Sequence, residues 1–190
     1  MTGKFGGLVI AMALALCVPA QTANAQQART VEVERLTVTS ARPFAAVVAT
    51  LDGEVGHPNM AEFSKAAESA KTYTELEGIV NRAVGPSGLM VFLRLDIGGV
   101  IREESGGDKP KALRYLIGNP LIMKEMARYV IDAGAYAPVT ILIDERSDGV
   151  HLSYDTMASF LAPYGNAQAL RAARNLDDKI ATLLRKAAGN

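Results

Sequence analysis

Asp96, His151, Tyr154 and Asp155 are the side chains of this chain whose types and placing could move protons. Asp96 closes the run Leu89–Asp96, while His151, Tyr154 and Asp155 fall together after the turn Asp148-Gly149. Histidine titrates near neutral pH and can act as a general base, and a tyrosine–aspartate pair could share acid and base roles if a pocket brings them together. Asn119, Tyr154 and Arg94 form the candidate ligand-binding set. Asn119 stands in Gly118-Asn119-Pro120, where the free N–H groups and dipole of a following helix would favour an anion. Plain structure explains the same residues as well. Asn and Pro are preferred types at a helix start, and Asp is common at caps. Strand alternation sets His151 beside Ser153, opposite Val150, Leu152 and Tyr154, which points the imidazole toward solvent.

Other chemistries lack their parts. No His-x-x-x-His pair is present for zinc, and Gly85-Pro86-Ser87-Gly88 does not complete a Gly-x-Ser-x-Gly nucleophile turn. Asp144, Asp148, Gly149 and Asp155 occupy the first, fifth, sixth and twelfth positions of a calcium loop. Arg146 and Leu152 then stand where oxygen ligands are needed. Met123, Met126 and Met157 could ligate copper, but methionine at helical spacing ordinarily fills core. No phosphate-cradling glycine motif occurs. No metal and no cofactor is expected.

The 190 residues carry twenty basic and twenty acidic side chains, 49% hydrophobic and 21% charged, which suits one globular domain. Zero net charge gives no electrostatic case for nucleic acid. The first 25 residues differ in kind. Lys4 precedes an apolar run from Leu8 to Val18, and Ala23-Asn24-Ala25 offers the small residues a signal peptidase reads. That run is too short to span a bilayer. A signal peptide at 1–25, cleaved after Ala25, would deliver residues 26–190 to the periplasm with no membrane insertion afterwards. Cys17 follows Leu16 rather than the small residue of a lipoprotein signal, and it would leave with the leader. The mature chain would then hold neither disulfide nor thiolate.

The elements that must position these residues follow from periodicity. Thr30–Thr39 reads as a strand with a phase slip at Arg35. Ser40 is placed to cap a helix that buries Phe44, Val47, Val48 and Leu51 and stops at Asp52-Gly53. Asn59 with Glu62 and Thr72 with Glu75 open two further helices. In the strand Leu89–Asp96, alternation puts Met90, Phe92 and Arg94 on one face and Leu89, Val91, Leu93 and Leu95 on the other. Residues 98–107 are ambiguous. Ala112–Ile117 is a strand, followed by a helix from Pro120 to about Asp132 with Gly134 as its stop. Val139–Ile143 and Val150–Tyr154 form a hairpin. Asp155 caps a short helix. After Asn166, Leu170, Ala173, Leu176, Ile180, Leu183, Leu184 and Ala187 recur at 3–4 spacing, a face that must pack. The pattern is α+β: a mostly antiparallel or mixed sheet of about five strands with helices packed on one face.

The strand Phe92-Leu93-Arg94-Leu95-Asp96, the Gly118-Asn119-Pro120 turn, the Pro138-Val139 strand entry and Asp148-Gly149-Val150-His151-Leu152-Ser153-Tyr154-Asp155 occur in that order. Together they resemble the domain of unknown function 302 family from about Thr37 to the terminal helix. The resemblance implies a small α+β domain and no established reaction. A histidine that often follows the strand-end aspartate in that family is Ile97 here, and a helical pair at about 54–86 stands out as an insertion. The expectation is a secreted, periplasmic domain that binds a small molecule without catalysis. An enzyme using Asp, Tyr or His is the alternative, as is an envelope interaction module or homodimer that docks through its helices.

Overall fold

The computed structural model describes residues 2–3 and 30–190. Apart from residues 2–3, the expected leader, with Cys17 and the cleavage site after Ala25, lies outside the described residues. The elements below all belong to the compact unit Val31–Asn190.

Five strands form one sheet in the order β1-β5-β4-β3-β2, with every neighbouring pair antiparallel. They are β1 (Arg35–Ser40), β2 (Met90–Asp96), β3 (Ala112–Gly118), β4 (Val139–Arg146) and β5 (Gly149–Asp155). The helices are α1 (Phe44–Glu54), α2 (Met60–Ser69), α3 (Tyr73–Ala83), α4 (Ile97–Ser105), α5 (Pro120–Ala127), α6 (Ala133–Tyr136), α7 (Met157–Leu161) and α8 (Ala167–Ala188). The chain therefore has the α+β fold its periodicity predicts.

Register decides which face is buried. Leu152 lies opposite Val38 and Ile143, and Tyr154 opposite Leu36 and Ile141, so apolar residues from adjacent strands share one face. That face packs with α1, α5 and α8 in a single core. From α8 the residues Ala173, Leu176, Ile180, Leu183, Leu184 and Ala187 are buried, as the 3–4 spacing requires. Removing side chains the size of Leu152 or Leu184 from water supplies about 1.5–3 kcal/mol each.

Several local expectations are corrected. β1 starts at Arg35, the point of the phase slip. Ser40 does not cap α1: its hydroxyl donates to the Ala188 carbonyl at 2.6 Å and accepts from the Arg42 N–H, tying β1 to the end of α8. α1 runs past Asp52-Gly53 to Glu54. The register of β2 against β3 shifts between Val91 and Leu93, a bulge at Phe92. Val91 and Arg94 consequently face the helices, opposite Ile117 and Tyr115, while Leu93 and Leu95 face away. Simple alternation cannot anticipate that extra residue. Residues 97–105 form α4, opened by Asp96. The helix after Pro120 ends at Ala127, because the N–H groups of Ala133 and Gly134 fold back on the Val130 and Ile131 carbonyls in tighter turns. Gly134 lies inside α6. The Asn59 and Thr72 caps form as their spacing predicts, each side-chain oxygen accepting from backbone N–H groups. No helix among the described residues is long and apolar enough to cross a membrane.

Candidate functional site

The acid–base candidates do not converge. Asp96 ends β2 and Tyr154 sits on β5, three strand spacings apart in the sheet, roughly 14 Å. Asp96 caps α4: its carboxylate accepts from the Gly99 N–H at 2.7 Å and from Arg102 at 2.8 Å. The Gly99 bond, aided by Arg102, holds its carboxyl below the usual carboxylate range. Asp155 does not cap α7, and instead accepts two hydrogen bonds from Arg35, at 2.6 and 2.8 Å, which keep its pKa low.

His151 is buried rather than solvent-facing, with its side chain only 10% exposed. It does lie on the sheet face opposite the helices, in register with Thr39 and Asp144, but its Nε2 meets the Asp148 carboxylate at 2.9 Å. Nδ1 is buried with no partner among the described residues. That hydrogen bond pulls the Asp148 carboxyl below its ordinary range. The tight Asp148-Gly149 turn folds the carboxylate back over the ring, a local effect that strand alternation does not encode.

Tyr154 is core, and its hydroxyl donates to Asp177 of α8 at 2.5 Å. Asp177 also accepts from the Met157 N–H at 2.8 Å and the Ala158 N–H at 3.0 Å. It thus caps α7 from another helix, where Thr156 gives no side-chain cap. Burial pushes the Tyr154 hydroxyl above the phenol range, with the Asp177 carboxylate adding to it. Sequence reasoning passed over Asp177. Its signal was position: four residues after Ala173 and three before Ile180, it flanks the apolar stripe of α8.

Burial raises the Asp177 pKa as well, against the opposing hydrogen bonds from Tyr154, Ala158 and Met157. A raised folded-state pKa means that folding takes up protons between the unfolded and folded values. Its contribution is complete below about pH 4 and is lost as pH rises through the folded pKa. Wild-type stability minus that of Asp177→Asn should therefore fall as pH rises above about 4 in a series of urea titrations. A difference that stays flat or rises would refute this assignment.

Arg94 joins a second cluster that the sequence did not suggest. Bulged to the helix side, it lies 3.6 Å from Asp52 and 5.6 Å over the Tyr115 ring. Tyr115 donates to Asp52 at 3.0 Å, and His57 Nε2 lies 3.0 Å from the Asp52 carbonyl oxygen. Burial and the nearby Asp52 carboxylate push the Tyr115 hydroxyl upward, away from proton transfer near neutral pH. The cluster ties the end of α1 to β2 and β3.

Asn119 has a cap's geometry and also borders a cavity. Its Oδ1 accepts from the Leu121 N–H at 2.8 Å, and Nδ2 donates to the Gly88 carbonyl at 2.9 Å. Beside it, the ends of β3 and β4 diverge from α5 and α8 around a cavity of about 110 Å³, open on one side. Phe92, Met123, Met126, Pro138 and Leu176 form most of the wall, and Gly118 and Asn119 bring backbone and amide polarity to the rim. Tyr154 and Arg94 do not line it. Met123 and Met126 act here as apolar wall. Among the described residues no group of three or more His, Cys, Asp or Glu could hold a metal ion. Asp144, Asp148 and Asp155 are each engaged by a different partner.

Comparison with known proteins adds to this geometry. A family model described as "Domain of unknown function DUF302" matches residues 63–187. No curated protein matches the chain. Among solved structures, an "uncharacterized conserved protein DUF302 from Bacillus stearothermophilus" is similar at a TM-score of 0.56 and 9% identity. The alignment covers 80% of this chain and 97% of that one.

Proposed function

The chain belongs to the domain of unknown function DUF302 family, and from that premise we propose that it binds a small, mainly apolar molecule, without catalysis, in the cavity beside Asn119. The observation that carries this reading is the cavity itself. At about 110 Å³ and open on one side, it seats one ring or chain of a small ligand rather than enclosing a large one, and its wall is apolar with a few polar groups at one rim. Asn119 spends Oδ1 and one amide N–H on the scaffold, which leaves its second N–H to orient a carbonyl or hydroxyl. The scattered acid–base candidates, each in a capping or pairing role, argue against chemistry at this site.

The proposal extends to place. Lys4, the apolar run Leu8–Val18 and Ala23-Asn24-Ala25 support export and action in the periplasm. A denatured mass of protein recovered from the periplasm should correspond to a chain beginning at Gln26. An intact chain retained in the cytoplasm would refute export.

The neutral fluorophore N-phenyl-1-naphthylamine tests the cavity. It should bind saturably with increased emission, and Met123→Trp, which fills the space from α5, should weaken it at least about tenfold, or about 1.4 kcal/mol. Equal affinity in the two proteins would overturn the site. Native mass spectrometry of the periplasmic protein would then identify the physiological class from any mass in excess of the chain's own.

A further inference from the structure

The sheet face away from the helices carries a second feature, which meets that cavity only at Ala137, Pro138 and Val139. The side chains of Arg35 and Thr37 on β1, Ser153 and Asp155 on β5, Thr140, Leu142 and Arg146 on β4, and Arg114 and Leu116 on β3 share this face by register. They are not a flat solvated surface. Ile97 of α4 helps border one depression, of about 400 Å³, that contains Arg35, Arg114, Arg146 and Ser153. A second, also of about 400 Å³, runs on toward Tyr136 and Phe160, and both include Arg114, Thr140 and Asp155. Together they make one continuous trough.

Its charges are unevenly matched. Arg35 is held by Asp155 and Arg146 by Asp144, each through two hydrogen bonds. Arg114, at the junction of the two halves, is exposed and has no carboxylate partner among the described residues. Its nearest polar contact is the Thr140 hydroxyl at 3.5 Å, too long to satisfy a guanidinium. Arg35 and Arg146 are thus each paired with a carboxylate, and Arg114 is the guanidinium of the trough that is not. The Thr37 and Ser153 hydroxyls, 3.4 Å apart, add neutral donors beside it. At the other end Tyr136 and Phe160 stack at 4.8 Å between ring centroids, and Leu116 supplies an apolar floor.

We propose that this trough binds an oxyanion joined to a flat apolar body: a carboxylate or phosphate at Arg114, with its ring or chain extending over Leu116 toward Tyr136 and Phe160. A guanidinium fork matches either oxyanion through paired N–H donors. Arg35 and Arg146, fixed by their own aspartates, do not compete for the same atoms. The apolar end distinguishes this ligand from free inorganic phosphate.

Calorimetric titration of the full chain with phenyl phosphate, benzoate and inorganic phosphate tests it. Phenyl phosphate or benzoate should bind saturably and weaken as salt rises. Whichever binds names the oxyanion. Inorganic phosphate should bind at least about tenfold more weakly than phenyl phosphate, since it lacks the stacked body. Arg114→Gln, a change at an exposed position that leaves the core untouched, should cost the bound ligand about tenfold or more and leave N-phenyl-1-naphthylamine binding unchanged. The two sites can therefore fail separately. The proposal is overturned if neither aryl anion binds, if Arg114→Gln binds within about twofold of wild type, or if inorganic phosphate binds as tightly as the aryl anions.

Discussion

Asp177→Ala should destabilise the fold by about 3 kcal/mol, read as a lowered urea midpoint at unchanged slope. The size follows from what the carboxylate satisfies. It accepts the Tyr154 hydroxyl and the N–H groups of Met157 and Ala158, and the Tyr154 side chain and Met157 are buried. Alanine leaves the hydroxyl with a cavity in place of its acceptor and exposes the first turn of α7 to loss of its cap. Each stranded buried donor costs about 1–3 kcal/mol. Tyr154→Phe is the matched control. It removes the donor to Asp177 and a second acceptor of the Met157 N–H at 3.1 Å, but leaves Asp177 on both N–H groups, so it should cost about 1 kcal/mol. If Asp177→Ala proves no worse than Tyr154→Phe, the cross-helix cap contributes little.

Gly56→Ala should be comparably severe, about 3 kcal/mol, for a different reason. A Cβ built on Gly56 would lie 1.9 Å from the Ala83 carbonyl oxygen, and one on Gly85 would lie 2.4 Å from the Val55 carbonyl carbon. Both obstacles are backbone, so no rotamer change relieves them. The two glycines pass back to back because each N–H donates to the same acceptor, the Leu89 carbonyl, at 2.9 Å, while the Val91 N–H donates to Gly56. This crossing fixes the helical stretch at about 54–86 onto the start of β2. The substitution therefore also tests whether that stretch is integral to the domain. A cost near zero in thermal or urea unfolding would mean that it detaches freely.

The helix-facing side of the sheet was legible in the sequence because strand alternation at Leu113-Tyr115-Ile117 and at Val150-Leu152-Tyr154 is a local, repeated signal. So was the α8 stripe. Asn119 was legible as a cap for the same reason: its oxygen reaches an N–H only two residues away. The site was less so. The cavity beside Asn119 needs Phe92, Met123, Pro138 and Leu176, residues spread across four segments that meet only after packing. The bulge at Phe92, which turns Arg94 toward Asp52 and Tyr115, depends on the partner strand rather than on β2 itself.

Taken alone, the sequence determined the α+β class, the hairpin at Asp148-Gly149, the caps at Asn59, Thr72, Asn119 and Asn166, and the resemblance to the family the chain belongs to. These rest on interactions between residues a few positions apart, whose spacing is written in the chain. Tertiary structure alone decided that Asp96 and Tyr154 lie three strands apart, that Asp177 rather than Asp155 caps α7, that His151 is buried, and that Arg114 is left without a carboxylate among the described residues. Each depends on which distant segment the fold brings alongside. Sheet order and helix packing set those partners through the burial of the whole core, and no local spacing records them.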